Sequence, residues 1–271
     1  MSAALPEAIV ATAADLPRAV AAALEAADPA AETRETTPAG KIPFSSIVWG
    51  DPVGRPLVLL HGVTASARIW WRVGPALAAS GRRVVAPDMP GHGLTGHWLG
   101  HHRFRDTAVD VAAWIRRAGL DVPELQVVGH SWGAMTAAAL PRAGVRPATL
   151  VLLDPPAVPY SVISLMASDP SEQPYPDLET AIAALAAASP TWSHEDVRSK
   201  AEALRQLDVS AARSVLLDNG DWDGGIADLA AIGALAALVG PDHILTLGGA
   251  PHAPQRTHTA ATTLALLRAI G

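Results

Sequence analysis

A serine between two glycines carries the clearest chemical signal in the sequence. The segment Gly129-His130-Ser131-Trp132-Gly133 has the pattern G-x-S-x-G and lies between a short apolar run and a stretch of helical composition. In a strand–turn–helix context, this pattern forms a sharp turn that exposes the serine hydroxyl above the sheet, at the start of the helix. The glycines are needed because the turn and the helix leave no room for Cβ atoms. Ser131 is therefore predicted to be a nucleophile.

A histidine near the end of the chain has the position expected of a general base. His252 follows an apolar run, Ile244–Leu247, which is predicted to be a strand, and it precedes the last predicted helix, Ala260–Ile270. A histidine at the carboxyl end of one strand can reach a serine on a neighbouring strand. There it would take the Ser131 proton and return it to the leaving group.

A loop after the predicted strand Leu57–Leu60 supplies the third part of such a site. His61, Gly62 and Val63 follow this strand directly. Gly62 allows the backbone to approach a ligand closely. The amide of Val63, together with that of Trp132, is predicted to bind a developing oxyanion. His61 and Gly62 are also predicted to contact the substrate.

These motifs resemble those of the α/β-hydrolase fold enzymes. The resemblance extends from about residue 42 to the end of the sequence, and it also includes the run Asp88-Met89-Pro90-Gly91-His92-Gly93. In that family the chain order is nucleophile, acid, histidine, which Ser131 and His252 match at the first and last positions. A serine nucleophile argues against the dehalogenases and epoxide hydrolases of the family, which use aspartate there.

The acid has two candidate positions. The resemblance implies an acid after the seventh strand, and Asp223, 29 residues before His252, or its neighbour Asp221 fits if Ser214–Leu217 is that strand. If these residues instead belong to a helical insertion and the usual strand is lost, the acid is Asp154, one strand earlier. The sequence leaves both placements open.

The elements that must position these residues alternate between strand and helix. This alternation predicts an α/β fold with a mostly parallel sheet flanked by helices. The predicted hydrolase core comprises residues 42–154 and 214–271. A segment rich in proline and then in helical patterns, 155–213, is predicted to be a helical cap insertion, and its Tyr160 is predicted to contact the substrate.

The residues before the core, 1–41, are predicted to form a helical N-terminal extension. Within it, the polar stretch Asp28–Lys41 is predicted to be a linker. The oligomeric state is not predicted by the sequence.

Composition excludes several classes of function. The chain of 271 residues has no cysteine, so disulfides, thiolate catalysis and cysteine-bound metal sites are excluded. A net charge of −6 argues against general attraction to nucleic acid or anionic membranes. No apolar run is long enough to span a bilayer and the first residues do not resemble a secretory signal, so a cytoplasmic location is expected. Nucleotide-binding glycine motifs are missing, and neither a cofactor nor a metal is expected.

The predicted function is hydrolysis of a small-molecule substrate, most simply an ester with an apolar acyl group, through an acyl-enzyme on Ser131. Two other classes stay open. The same site would also serve acyl transfer, lyase or perhydrolase chemistry. Alternatively, the unclear acid would fit a ligand-binding relative that has lost its catalytic site.

Overall fold

The computed structural model describes residues 9–40, 42–96, 100–156, 158–169, 172–220, 222 and 252–271. The strands in these ranges are β1 (Thr33–Ala39), β2 (Ile42–Trp49), β3 (Arg55–Leu60), β4 (Arg82–Pro87), β5 (Gln126–His130) and β6 (Thr149–Leu153). They form one sheet in the order β1-β2-β4-β3-β5-β6. Strands β4, β3, β5 and β6 are parallel to one another, whereas β2 pairs with β4 and β1 pairs with β2 in antiparallel orientation.

Helices cover both faces of this sheet, which confirms the predicted α/β fold. In chain order, the helices of the described ranges are α1 (Arg18–Glu25), α2 (Val73–Ala78), α3 (Phe104–Arg117), α4 (Trp132–Ala139), α5 (Tyr160–Met166), α6 (Leu178–Ala188), α7 (His194–Arg205), α8 (Val209–Leu217), α9 (Pro254–Thr257) and α10 (Thr259–Ile270). None of them is long and apolar enough to cross a membrane.

Strand β3 shows how the sheet is buried on both faces. Its four consecutive apolar residues, Leu57 to Leu60, are all fully buried. Because side chains alternate along a strand, Val58 and Leu60 join the core cluster that includes α3 and α4, while Leu57 and Leu59 join the cluster that includes α2 and α10. A continuous apolar run is typical of such a central parallel strand.

The N-terminal segment contains a strand where the sequence predicted a linker. Strand β1 pairs along its whole length with β2, and Ala39 is its one buried residue. An edge strand forms its hydrogen bonds through the backbone and needs no apolar alternation, and its threonines favour the extended conformation. The linker prediction is therefore wrong for 33–39, and the helical extension is limited to shorter helical segments such as α1.

The described residues between β6 and Asp218 include helices α5 to α8, so the alternative in which Ser214–Leu217 forms a strand is wrong. These residues are the last turn of α8. Its buried residues are Ala211, Ala212, Val215 and Leu216, a spacing that places them on one helical face. The predicted cap boundary after residue 213 therefore falls inside a helix. The predicted strand Ile244–Leu247 lies outside the described residues.

Candidate active site

Ser131 connects β5 to α4 with an unusual backbone conformation. Its φ is 53° and its ψ is −120°, a region that costs a non-glycine residue roughly 1–3 kcal/mol. Two glycines make this turn feasible. A Cβ on Gly129 would lie 2.2 Å from the carbonyl oxygen of Gly133, and one on Gly133 would lie 2.5 Å from that of Leu60. The sharp turn expected from the sequence is present, with Ser131 between strand and helix.

Three side chains from separate segments form one hydrogen-bonded chain. The Oγ of Ser131 lies 3.0 Å from Nε2 of His252, and Nδ1 of His252 lies 2.5 Å from Oδ2 of Asp154. With Nδ1–H donating to the carboxylate, Nε2 presents its lone pair to the serine hydroxyl. In this arrangement the imidazole can accept the serine proton.

Asp154 reaches His252 because of the register between two parallel strands. In the pairing of β5 with β6, His130 stands opposite Leu153, and the Ser131 amide donates to the Leu153 carbonyl at 3.0 Å. Ser131 and Asp154 are thus the first residues after two paired strand ends. Like Ser131, Asp154 is a non-glycine residue with a positive φ, which is 46°.

The charge on Asp154 is stabilised by its partner. The hydrogen bond with His252 holds the pKa of the Asp154 carboxyl below its usual value, and partial burial opposes this shift as the smaller effect. About half of each side chain is exposed. An ionised Asp154 in this position can orient the imidazole and stabilise an imidazolium.

The structure brings one of the two acid candidates to the histidine. Asp154 contacts His252 directly, whereas Asp221 and Asp223 lie outside the described residues. The placement at Asp223 also depended on a strand at 214–217, and that segment belongs to α8.

The loop after β3 lies against Ser131. A Cβ on Gly62 would be 3.3 Å from the Ser131 Cβ and 3.2 Å from Nδ1 of His130. Gly62 therefore allows an approach that a larger residue would obstruct. The amides of Val63 and Trp132, the predicted oxyanion donors, donate to no group within the described part of the chain.

Two buried histidines hold the carbonyl groups of this loop. Nδ1 of His61 donates to the Gly62 carbonyl at 2.8 Å, while its Nε2 accepts from the Met89 amide at 3.0 Å. Nε2 of His92 donates to the Val63 carbonyl. In a planar trans peptide, the C=O and the following N–H point in opposite directions. Holding the Gly62 carbonyl therefore sets the direction of the Val63 N–H.

The structure corrects the predicted substrate contact of the His61 side chain. The ring is fully buried, and both of its nitrogens are hydrogen-bonded to the backbone. Burial holds the pKa of His61 well below its usual value, and the nearby His92 adds to this effect. The ring is therefore neutral at physiological pH, and its contacts position the loop rather than a substrate.

His130 lies in the site, but the sequence analysis assigns it no function. Its buried ring donates from Nε2 to the backbone carbonyl of His252 at 2.6 Å. Burial lowers the pKa of His130 to about 4, and the nearby His252 acts in the same direction. The neutral ring thus anchors the backbone of His252. Its sequence signal is weak, because the x positions of G-x-S-x-G are not specified by the motif.

A small cavity of about 40 Å³ lies beside the loop, next to Thr64. Its lining comprises Thr64, Met166, Ala167, Glu172, Gln173, Leu207, Val209, Ala212, Arg213 and Leu216. Tyr160, which was predicted to contact the substrate, is not among these residues. It begins α5 and is 42% exposed.

Comparison with known proteins identifies the family. The family model described as alpha/beta hydrolase fold matches residues 55–213. The chain therefore belongs to the α/β-hydrolase fold family, as the resemblance implied. The matched range includes the turn around Ser131 and extends to Arg213 in α8.

Several hydrolases are similar to this chain. Epoxide hydrolase B of Mycobacterium tuberculosis is 37% identical over 89 residues, which are 32% of this chain and 24% of that protein. The 2-hydroxymuconate semialdehyde hydrolase of Pseudomonas sp. is 40% identical over 90 residues, which are 32% of this chain and 31% of the relative. The matches thus cover less than a third of these relatives. Among solved structures, E-2-(acetamidomethylene)succinate hydrolase has a similar fold, with a TM-score of 0.69 and 20% identity over 88% of this chain and 99% of that protein.

Proposed function

We propose that this protein is a hydrolase that cleaves carboxylic esters through an acyl-serine intermediate. The observation that supports this function most strongly is the hydrogen-bonded chain from Ser131 through His252 to Asp154. It joins a hydroxyl, an imidazole and a carboxylate in the order that nucleophilic acyl transfer uses.

In the first half of the proposed reaction, Nε2 of His252 takes the proton of Ser131 while Oγ attacks the ester carbonyl carbon. The carbonyl oxygen becomes negatively charged, and the amides of Val63 and Trp132 donate to it. Asp154 stabilises the protonated imidazole. The carbon–oxygen bond to the alcohol then breaks, and the alcohol leaves with the proton from His252.

In the second half, a water molecule attacks the acyl carbon on Ser131 and gives a proton to His252. The same amides bind the new oxyanion. When the bond to Ser131 breaks, His252 returns the proton to Oγ and the carboxylic acid leaves. The sum is one ester and one water converted into one acid and one alcohol.

The identity of the nucleophile favours acyl chemistry over epoxide opening. Epoxide hydrolases of this family use aspartate at the nucleophile turn, and this chain has Ser131 there. A serine hydroxyl activated by a neighbouring imidazole is suited to attack at an acyl carbon.

The size and lining of the cavity beside Thr64 support a small substrate group. Six of its ten lining residues are apolar, and its volume is about 40 Å³. We infer a small molecule with a short, largely apolar acyl group.

Hydrolysis of p-nitrophenyl acetate, butyrate and octanoate tests this function. We expect turnover that favours the shorter esters and that is lost when Ser131→Ala is introduced. A folded wild-type protein without turnover, or turnover that persists in the Ser131→Ala variant, would overturn the proposal.

A further inference from the structure

A buried lysine of helix α7 contacts the loop that carries one oxyanion donor. The Lys200 side chain is only 7% exposed. Its Nζ lies 3.1 Å from the carbonyl oxygen of Thr64, 2.6 Å from Oγ1 of the same residue and 2.5 Å from Oε2 of Glu172. The Thr64 hydroxyl also donates to this Glu172 oxygen. Thr64 directly follows Val63, so the contact is made one residue from the proposed donor.

The choice of lysine fits this set of acceptors. Of the 20 basic residues in the chain, only Lys41 and Lys200 are lysines. An ammonium group is a compact charge with three donors, which suits three separate oxygens, whereas the guanidinium of arginine is a planar fork. Burial lowers the pKa of Lys200, and the charge of Glu172 opposes that shift. A buried charge of this kind persists when it is paired and hydrogen-bonded.

Three consecutive carbonyls of the loop are therefore held by side chains. His61 donates to Gly62 and His92 donates to Val63, both from loops at the end of the sheet. The third carbonyl, that of Thr64, is held from the other side by Lys200 of the cap. The Thr64 carbonyl lies two planar peptide units after the unit that contains the Val63 amide. Loss of its hydrogen bond would free the backbone torsions of Val63 and Thr64 that connect the two units.

Helix α7 is attached to the core at other points that do not involve Lys200. Arg68 pairs with Glu202. Asp196 accepts from Nε1 of Trp71 at 3.0 Å and also pairs with Arg72. Loss of Lys200 would therefore leave the helix docked. It would remove the hydrogen bonds from Lys200 to Thr64 of the loop.

We propose that Lys200 is a positioning residue that fixes the oxyanion loop in its active conformation. This inference rests on the proposed ester hydrolysis. It makes the catalytic rate depend on a cap residue that does not contact the reacting atoms. The expected signature is a loss in kcat with little change in KM, because the oxyanion exists in the transition state and not in the bound ester.

The test measures p-nitrophenyl butyrate hydrolysis by the wild type, Lys200→Met and the double variant Lys200→Met/Glu172→Gln. Methionine keeps the length of the side chain but donates no hydrogen bond. Glu172→Gln removes the carboxylate that Lys200→Met leaves unpaired. The double variant should therefore regain stability, but it still lacks the hydrogen bonds from Lys200 to Thr64. Arg205→Met, at an exposed position of the same helix, is the matched control.

We expect kcat to fall by roughly 10- to 100-fold in both Lys200 variants. This decrease is no larger than the one expected when a complete oxyanion donor is removed. KM and the pH profile of Lys200→Met should stay close to those of the wild type, and the melting temperature should recover in the double variant while kcat does not. Recovery of kcat together with the melting temperature, or an effect no larger than that of Arg205→Met, would overturn the inference. Absence of Ser131-dependent turnover in the wild type would instead overturn the proposed function itself.

Discussion

Ser131 and Asp154 are the two non-glycine residues with positive φ in the described part of the chain, at 53° and 46°. They follow the paired ends of β5 and β6, and the His252 side chain is hydrogen-bonded to both. Strained conformations persist where the surrounding structure enforces them, and they concentrate at functional sites. The fold thus presents Ser131 and Asp154 to the same imidazole.

Replacement of Asp154 by asparagine tests its assignment as the acid. The amide would favour the wrong tautomer of His252, so we expect ester turnover to fall by about 10⁴-fold. The thermal stability should change little, because about half of the Asp154 side chain is exposed. Steady-state kinetics and a melting curve on the same preparation measure both effects.

A second aspartate–histidine pair provides the control for this variant. Asp218 accepts from Nδ1 of His101 at 2.8 Å, outside the site. Asp218→Asn should leave turnover unchanged. If Asp154→Asn turned over the ester as fast as the wild type, another carboxylate, such as Asp221 or Asp223, would be the acid that acts on His252.

Gly62 is expected to tolerate no side chain without loss of activity. An added Cβ would lie 3.3 Å from the Ser131 Cβ, so Gly62→Ala should displace the loop and weaken the contact of the Val63 amide with the oxyanion. We expect kcat to fall by roughly 10- to 100-fold. Gly96→Ala, where a Cβ meets no atom of the described residues within 4 Å, should retain activity. Equal kcat values in the two variants would contradict the assigned oxyanion loop.

The buried His130 should make stability depend on pH. Its pKa is about 4 in the folded protein and near 6.5 in an unfolded chain. Below pH 6.5 the unfolded state therefore binds a proton that the folded state excludes, and stability falls as the pH drops towards 4. Each such histidine adds a slope of at most about 1.4 kcal/mol per pH unit.

Chemical denaturation at several pH values between 4.5 and 7.5 measures this slope. His130→Asn should flatten it, whereas His194→Asn, at an exposed histidine, should not. The sign of the remaining slope should be unchanged, because burial also lowers the pKa values of His61 and His92. Identical slopes in the wild type and His130→Asn would contradict the neutral, buried state of His130.

Sequence reasoning located the parts of the site that depend on local structure. The turn at Ser131 is specified by two glycines and its neighbouring strand and helix, and the loop at Gly62 follows a strand that is apolar without interruption. The choice between Asp154 and Asp223 is different in kind. It depends on which strand lies beside β5 and in what register, and a single sequence does not contain that information.

The residues that the sequence analysis missed share a property with strand β1. Their roles come from partners far away in the chain. Lys200 resembles a solvated residue on a charged helix until α7 packs on the loop 136 residues away. Likewise, the polar segment Thr33–Ala39 becomes a strand because β2 offers it a free edge.

The central claim is that Ser131 is a nucleophile activated by His252. Intact-mass analysis after incubation with a fluorophosphonate tests it most directly, followed by peptide mapping of the adduct. We expect one adduct on the wild type, located at Ser131, no adduct on Ser131→Ala, and labelling slowed by about 10²-fold or more in His252→Ala. A folded wild-type protein that stays unlabelled, or an adduct on a residue other than Ser131, would contradict the account.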